Sequence, residues 1–294
     1  MSTPEAAGWA TMVPGDVVAL SPLVRRILCA NPNVFTGPGT NTYLIGRGNS
    51  DVVVIDPGPD DHEEHLESVA AAGAGHIKFI LVTHTHVDHS PGAKGLKERT
   101  GAAVLGLDER DGFVPDESIG DGFTLEAPGF NLRAIHTPGH ASNHLCYRLA
   151  EEDLLFSGDH IMSGSTVVIA PPDGDMTAYL DALENLRQYR LSAIAPGHGP
   201  WIDDPWAKVD EYITHRHLRE QAIVRALATA GRAKVEDIVQ AVYTDVPAEL
   251  HPIARFSVWA HLRKLATEGA AKADDPDSLD TVWVAGGDTL IPKG

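Results

Sequence analysis

The sequence predicts an α+β chain in two parts, a mixed strand-and-helix domain over residues 1–204 and a small, mainly helical domain over residues 205–294. Three observations carry this. Short apolar runs that stop at Gly- or Pro-containing turns recur through the first part, with a strand, helix, strand passage from Val52 to Val82. Several of these runs present His or Asp immediately afterwards. From Pro205 the strands give way to stretches with apolar residues at helical spacing.

The chain has 294 residues and 43% hydrophobic content, enough to fill a substantial core. Its 23 Lys and Arg face 41 Asp and Glu, a formal net charge of -18 that repels polyanions and disfavours a nucleic-acid partner unless a local basic patch overrides it. Cys29 and Cys146 can form at most one disulfide, lie in no C-x-x-C pair and read as small buried hydrophobes. Met1 to Ala10 has no basic region followed by an apolar core, and no later stretch is continuously apolar for about 18 residues. The expectation is a cytoplasmic protein with no membrane association.

Met1 to Gly15 is small and turn-rich, an arm whose packing stays open. Val17 to Leu20 and Leu23 to Leu28 read as short strands. Asn31 to Thr42, punctuated by Gly and Pro, is a loop before the apolar Tyr43 to Gly46; it reads either as the rim of an active site or as a plain surface turn. Val52 to Ile55 is an apolar strand of the kind buried on both faces, and it ends at Asp56-Pro57-Gly58. Asp56 serves there either to hold a histidine or to form the turn. Asp61 to Ala72 has Leu66, Val69 and Ala70 at helical spacing and leads into the strand Ile77 to Val82. Ala93 to Thr100 reads as a helix, Ala103 to Leu107 as a strand and Asp108 to Asp121 as a loop.

The strand Ile77 to Val82 runs into His84, His86, Asp88 and His89, an H-x-H-x-D-H cluster. In extended chain His84 and His86 point the same way, and Asp88 and His89 swing in from the following turn. Imidazoles and a carboxylate suit zinc and other late first-row metals. The grammar recurs. Leu132 to Ile135 leads to Thr137-Pro138-Gly139-His140, Leu154 to Phe156 leads to Ser157-Gly158-Asp159-His160, and after a helix over Thr177 to Tyr189, Ala193 to Ala195 leads to Pro196-Gly197-His198-Gly199. Strands ending on one side of a sheet can gather such residues into one site. A metal held there lowers the pKa of bound water from about 15.7 to near 7 and so supplies a hydroxide. No Ser or Cys nucleophile is then needed.

These motifs resemble the metallo-β-lactamase superfamily, an αββα sandwich of two mixed sheets with a metal site at one edge. The resemblance implies that His84, His86 and His140 hold a first metal, that Asp88, His89 and His198 hold a second, and that Asp159 bridges both. Asp88 and Asp159 are the implied catalytic carboxylates. Two zinc ions are the default, and iron and manganese fit the same donors. β-Lactamases of this fold lack a bridging aspartate whereas its thioesterases, lactonases and phosphodiesterases carry one, so Asp159 makes antibiotic hydrolysis at most a side activity. The Asn31 to Gly46 stretch, the Phe156-Ser157-Gly158-Asp159 turn and the C-terminal domain are similar to the beta-lactamase-like protein 2 group. Its animal member is a single-strand endoribonuclease, and its fungal relatives include thioesterases. Ser90-Pro91-Gly92 departs from the two glycines common after the aspartate-histidine pair and removes no ligand. The implied activity is hydrolysis of a small-molecule thioester, lactone or other ester, with RNA cleavage as the alternative.

His144 and His160 are candidates to hydrogen-bond substrate or a ligand, whereas His62, His65, His76 and His136 belong to no motif and default to surface or structural roles. In the C-terminal part, Pro205 to about Ala230 reads as a long helix with Val209, Ile213, Leu218, Ile223, Val224 and Leu227 on its apolar stripe. Val235 to Tyr243 and Ile253 to Glu268 read as helices, and Asp280 to Val284 as a strand after an acidic loop. Three helices and a hairpin resemble a winged helix. As a non-catalytic DNA-binding module it would turn Arg255, His261, Arg263 and Lys264 to phosphate, but the acidic wing and the net charge favour a packing helix beside Trp259, Leu262 and Leu265. In the resembling group this domain covers the active-site mouth, which makes Tyr212, His215 and Arg216 candidates to reach substrate. A homo-oligomer is left open.

Overall fold

Strands dominate the first two-thirds of the chain because its apolar runs are short and end in turn residues. The computed structural model describes residues 9–47, 50–244 and 246–286, so the first eight residues of the N-terminal arm lie outside the described residues. Two units form, one of residues 1–137, 143–167 and 187–206, the other of residues 138–142, 168–186 and 207–294.

The first unit holds a seven-stranded sheet in chain order: β1 (Val17–Ala19), β2 (Val24–Leu28), β3 (Asn41–Ile45), β4 (Val52–Ile55), β5 (Ile77–Leu81), β6 (Ala103–Gly106) and β7 (Glu117–Ser118). Strands β1 to β4 pair antiparallel and β4 to β7 parallel. Parallel neighbours need crossovers, supplied by α1 (Glu63–Ala72) and α2 (Gly92–Thr100). Leu66 and Val69 of α1 and Ala93 and Leu96 of α2 pack with Val52, Val54, Ile80 and Val104. The alternate residues Val53, Ile55, Leu81 and Leu105 point the other way, into a second core. Period-two alternation on strands buried on both faces explains why β4 is apolar at every position.

That second core lies against a five-stranded sheet ordered β12-β11-β10-β9-β8, made of β8 (Thr124–Ala127), β9 (Phe130–His136), β10 (Leu145–Leu149), β11 (Leu154–Gly158) and β12 (Ala193–Pro196). Leu132, Ala134, Tyr147 and Phe156 fill it, and the Tyr43 and Phe156 rings meet across the sandwich at 5.1 Å. The last two strands, β11 and β12, run parallel with a register irregularity between Phe156 and Gly158. Hydrogen bonds fasten the sheets at one edge: Asn41 Nδ2 donates to the carbonyls of Pro196 (2.9 Å) and Gly199 (2.8 Å), Tyr43 Oη to Pro196 (2.7 Å), and Tyr147 Oη to Val82 (2.7 Å). Cys29 and Cys146 are free and buried.

The second unit contains α3 (Met176–Asn185), most of α4 (Pro205–Ala230), α5 (Val235–Val242), α6 (His251–Thr267) and a sheet ordered β13-β15-β14, from β13 (Arg232–Ala233), β14 (Ala271–Ala273) and β15 (Trp283–Ala285). Ile223, Leu227, Ile238, Val239, Val258, Leu262 and a fully buried Trp283 form its core. Leu218, expected on the apolar stripe of α4, is instead 59% exposed, because the buried face runs through Val209, Tyr212, Arg216, Ile223 and Leu227. The helix expected to reach Tyr189 ends at Asn185 and continues as a 3-10 turn, Leu186–Gln188. No described helix is long and apolar enough to cross a membrane.

Candidate metal centre

Parallel pairing of β4 with β5 brings Asp56 and the Thr83 to His89 run out at one end, and parallel pairing of β11 with β12 does the same for Asp159 and His198. Asp56 has φ +51°, a left-handed conformation that costs a non-glycine residue roughly 1–2 kcal/mol. Its carboxylate accepts the Thr83 N–H (2.8 Å), the Thr83 hydroxyl (2.8 Å) and the Nδ1–H of His89 (2.9 Å). His89 therefore presents Nε2 inward. His198 is fixed the same way, its Nδ1 donating to the Gly39 carbonyl at 3.1 Å. This contact ties the Asn31 to Thr42 loop to the site. Gly39 has φ +136° and admits no side chain, since a Cβ would lie 2.1 Å from the Cys29 carbonyl oxygen.

Four donors converge. His89 Nε2 lies 3.2 Å from His198 Nε2, 3.4 Å from Asp159 Oδ1 and 3.5 Å from Asp88 Oδ2; His198 Nε2 lies 3.2 Å from Asp159 Oδ1 and 3.2 Å from Asp88 Oδ2. Donors about 2.0–2.1 Å from one tetrahedral ion stand about 3.3 Å apart. The donor set thus fits a metal, and the outward nitrogens bound to carboxylate or carbonyl complete the arrangement usual for metal-ligating histidine. His84, His89 and Asp159 also bring donor atoms within 4.8 Å of one another. His84 is buried and His86 exposed, with His84 Nε2 and His86 Nδ1 2.9 Å apart. His140 lies in the second unit, where its Nδ1–H donates to the Val168 carbonyl at 2.7 Å.

Two glycines make room for this packing. A Cβ on Gly158 would lie 2.7 Å from His144 Nε2 and from Thr83 Oγ1, and one on Gly197 would lie 2.9 Å from Asp159 Oδ1 and His89 Cε1. Small residues in these turns are therefore a packing requirement.

Charge sets the direction in which the pKa values of these donors move. Burial pulls the His89 and His198 imidazoliums down, but the surrounding carboxylates more than reverse this, lifting His89 well above the usual histidine range and His198 to about 9. Burial likewise raises Asp88 and Asp159, yet the two imidazoles hold Asp88 at about 2 and Asp159 well below the usual carboxylate value.

His144 is fully buried, its Nδ1 bonded to Thr137 Oγ1 (2.9 Å) and its Nε2 accepting the Asp159 N–H (3.1 Å), which leaves no ring nitrogen for a substrate. His160 is also fully buried, 6.1 Å from the His144 ring. In the second unit Tyr212 and Arg216 are buried, with the Arg216 guanidinium over the Tyr179 ring at 5.3 Å, and His215 is half-buried. Two supports carry no sequence signal. Thr83 joins Asp56 to the ligand run, and Asn143 Nδ2 donates to Thr85 Oγ1 (3.1 Å) and Asp108 Oδ1 (3.0 Å), tying the acidic loop to it.

Residues 35–198 match the family described as "Metallo-beta-lactamase superfamily", and residues 235–279 match "Beta-lactamase associated winged helix domain". The chain is 34% identical over 275 residues to the "Beta-lactamase-like protein 2 homolog" of Caenorhabditis elegans, covering 91% of each chain. It is 32% identical over 243 residues to the "Atrochrysone carboxyl ACP thioesterase" of Aspergillus chevalieri, covering 80% of this chain and 78% of that one. In fold it is similar to a metallo-beta-lactamase family protein of Thermus thermophilus, with a TM-score of 0.75 at 21% identity, covering 91% of this chain and 100% of that one.

Proposed function

Because the chain belongs to the metallo-β-lactamase superfamily, we propose that it is a metal-dependent hydrolase of small-molecule thioesters, lactones or other esters. The observation that carries the reading is the cluster of Asp88, His89, His198 and Asp159 donors at 3.2–3.5 Å. The proposed ligands are His84, His86 and His140 for one ion and Asp88, His89 and His198 for the other, with Asp159 shared. Zinc is the proposed metal. Residues 1–204 are proposed to carry the chemistry and residues 205–294 to form the accessory domain.

Bound divalent ions supply Lewis acidity toward the carbonyl under attack and a water of lowered pKa. The chain's own residues do the rest. Asp56 and the Gly39 carbonyl keep the Nε2 atoms of His89 and His198 directed inward. Asp88, 20% exposed against 11% for Asp159, is the carboxylate more open to water and the proposed acceptor of its proton. Val87, 78% exposed between His86 and Asp88, offers apolar surface to an acyl group. An ester substrate also suits the net charge of -18, which opposes RNA, and the activity for which the Aspergillus relative is named.

The test compares zinc-loaded protein with a His89→Ala variant on an acyl N-acetylcysteamine thioester, an aliphatic lactone and single-stranded RNA. Thiol release abolished by chelator and by the variant, with RNA intact, is the expected result. RNA cleavage lost in the same variant would replace the ester reading with a phosphodiesterase.

A further inference from the structure

Thr42 on β3 and His65 on α1 take no part in the donor cluster, yet Thr42 touches the residue that orients it and His65 touches Thr42. The Thr42 hydroxyl donates its proton to the Asp56 carbonyl at 2.6 Å. Having spent that proton, it can only accept from His65 Nε2, 2.8 Å away. His65 is therefore the Nε2–H tautomer. The imidazole is 6% exposed, and its Nδ1 is buried with no hydrogen-bond partner among the described residues. Burial holds its pKa near 4, so the ring is neutral and does not serve as a charge. Leaving a buried nitrogen unsatisfied is unfavourable, and apolar Leu66 and Val69 fill neighbouring positions of the same helix without that penalty. The remaining nitrogen accounts for the histidine.

The far end of this strut is Asp56, whose other polar groups are also taken: its N–H by the Leu81 carbonyl (3.0 Å), its carboxylate by Thr83 and His89. Carbonyl and carboxylate directions are coupled through the left-handed backbone of that one residue. We infer that His65 and Thr42 are positioning residues for the metal centre, a hydrogen-bonded strut that fixes the Asp56 backbone so that its carboxylate orients His89. This rests on the metal-dependent reading above.

Zinc affinity, read by competition with a chromophoric chelator, tests it in the full chain. Thr42→Val, isosteric but without the hydroxyl, should weaken zinc binding on the order of 10-fold, as loss of outer contacts to ligand histidines does. Thr42→Ser should restore affinity to within about twofold. The ¹⁵N shifts of the metal-free protein should show His65 protonated at Nε2. Wild-type zinc affinity in Thr42→Val, or protonation at Nδ1, would overturn the strut while leaving the hydrolase reading intact. Failure of the wild-type chain to bind zinc, manganese or iron would instead remove that reading and the strut with it.

Discussion

The backbone N–H of Asp159 is held by Nε2 of His144 at 3.1 Å, in a space no side chain on Gly158 could share. The histidine thus acts on the carboxylate turn from behind, its tautomer set by Thr137 on the other side.

His144→Leu should leave that N–H unsatisfied and lower stability by about 1–3 kcal/mol. Urea unfolding of the metal-free protein measures this, and zinc affinity should fall with it. A raised KM with unchanged stability and zinc affinity would show that the ring instead meets substrate.

The metal-free protein should have a defined pH response. His198 has a folded pKa raised to about 9 and His89 one raised well above 6.5, so their stabilisation is complete below about 6.5; the His198 part is lost as pH rises through about 9 and the His89 part as pH rises through its own raised value. Asp88, lowered to about 2, contributes above about 3.8 and loses its contribution as pH falls toward 2. The cluster favours the fold most between roughly pH 4 and 6.5, which a Tm series on stripped protein would show as a plateau falling away on the alkaline side. Zinc must displace the imidazolium protons, so calorimetry at pH 7 in buffers of different ionisation enthalpy should register proton release on binding.

The basic side chains of α6 should not bind DNA. Lys264 contacts Glu220 and Glu268, His261 contacts Glu220, Arg263 contacts Asp277 at 2.8 Å, and Arg255 contacts Glu236 at 3.3 Å. With each already matched by a carboxylate in a chain of charge -18, duplex DNA should show no mobility shift at about 0.15 M salt. A shift abolished by Arg263→Ala would reverse that conclusion.

The strand-to-turn grammar that exposes His and Asp was legible because each unit is local: an apolar run, a glycine, then a donor. Strand β10, Leu145–Leu149, is not legible in this way: a turn at Ser142-Asn143 precedes it, but no glycine-and-donor turn follows its end. The pieces Thr124–Ala127 and Ala271–Ala273 carry Glu, Lys and Ala and owe their pairing to neighbours rather than propensity. Asp56 could be placed at the right strand end, but its choice between turn residue and histidine holder depends on His89, 33 positions away. His65 gave no sign of its contact with Thr42, because that contact spans 23 positions and joins a helix to a strand. Local pattern finds the donors; the groups that aim them are set by packing.

Asp88 and His89 follow the first sheet's β5, whereas Asp159 and His198 follow the second sheet's β11 and β12. Neither sheet alone supplies all of these four donors. Filling of that particular shell would therefore count only those molecules whose two halves have already met, turning metal uptake by His89 and His198 into a reporter of late assembly. A fragment ending before Leu145 would keep His84, His86, Asp88, His89 and His140 but lose Asp159 and His198, so the four-donor shell around His89 would stay incomplete.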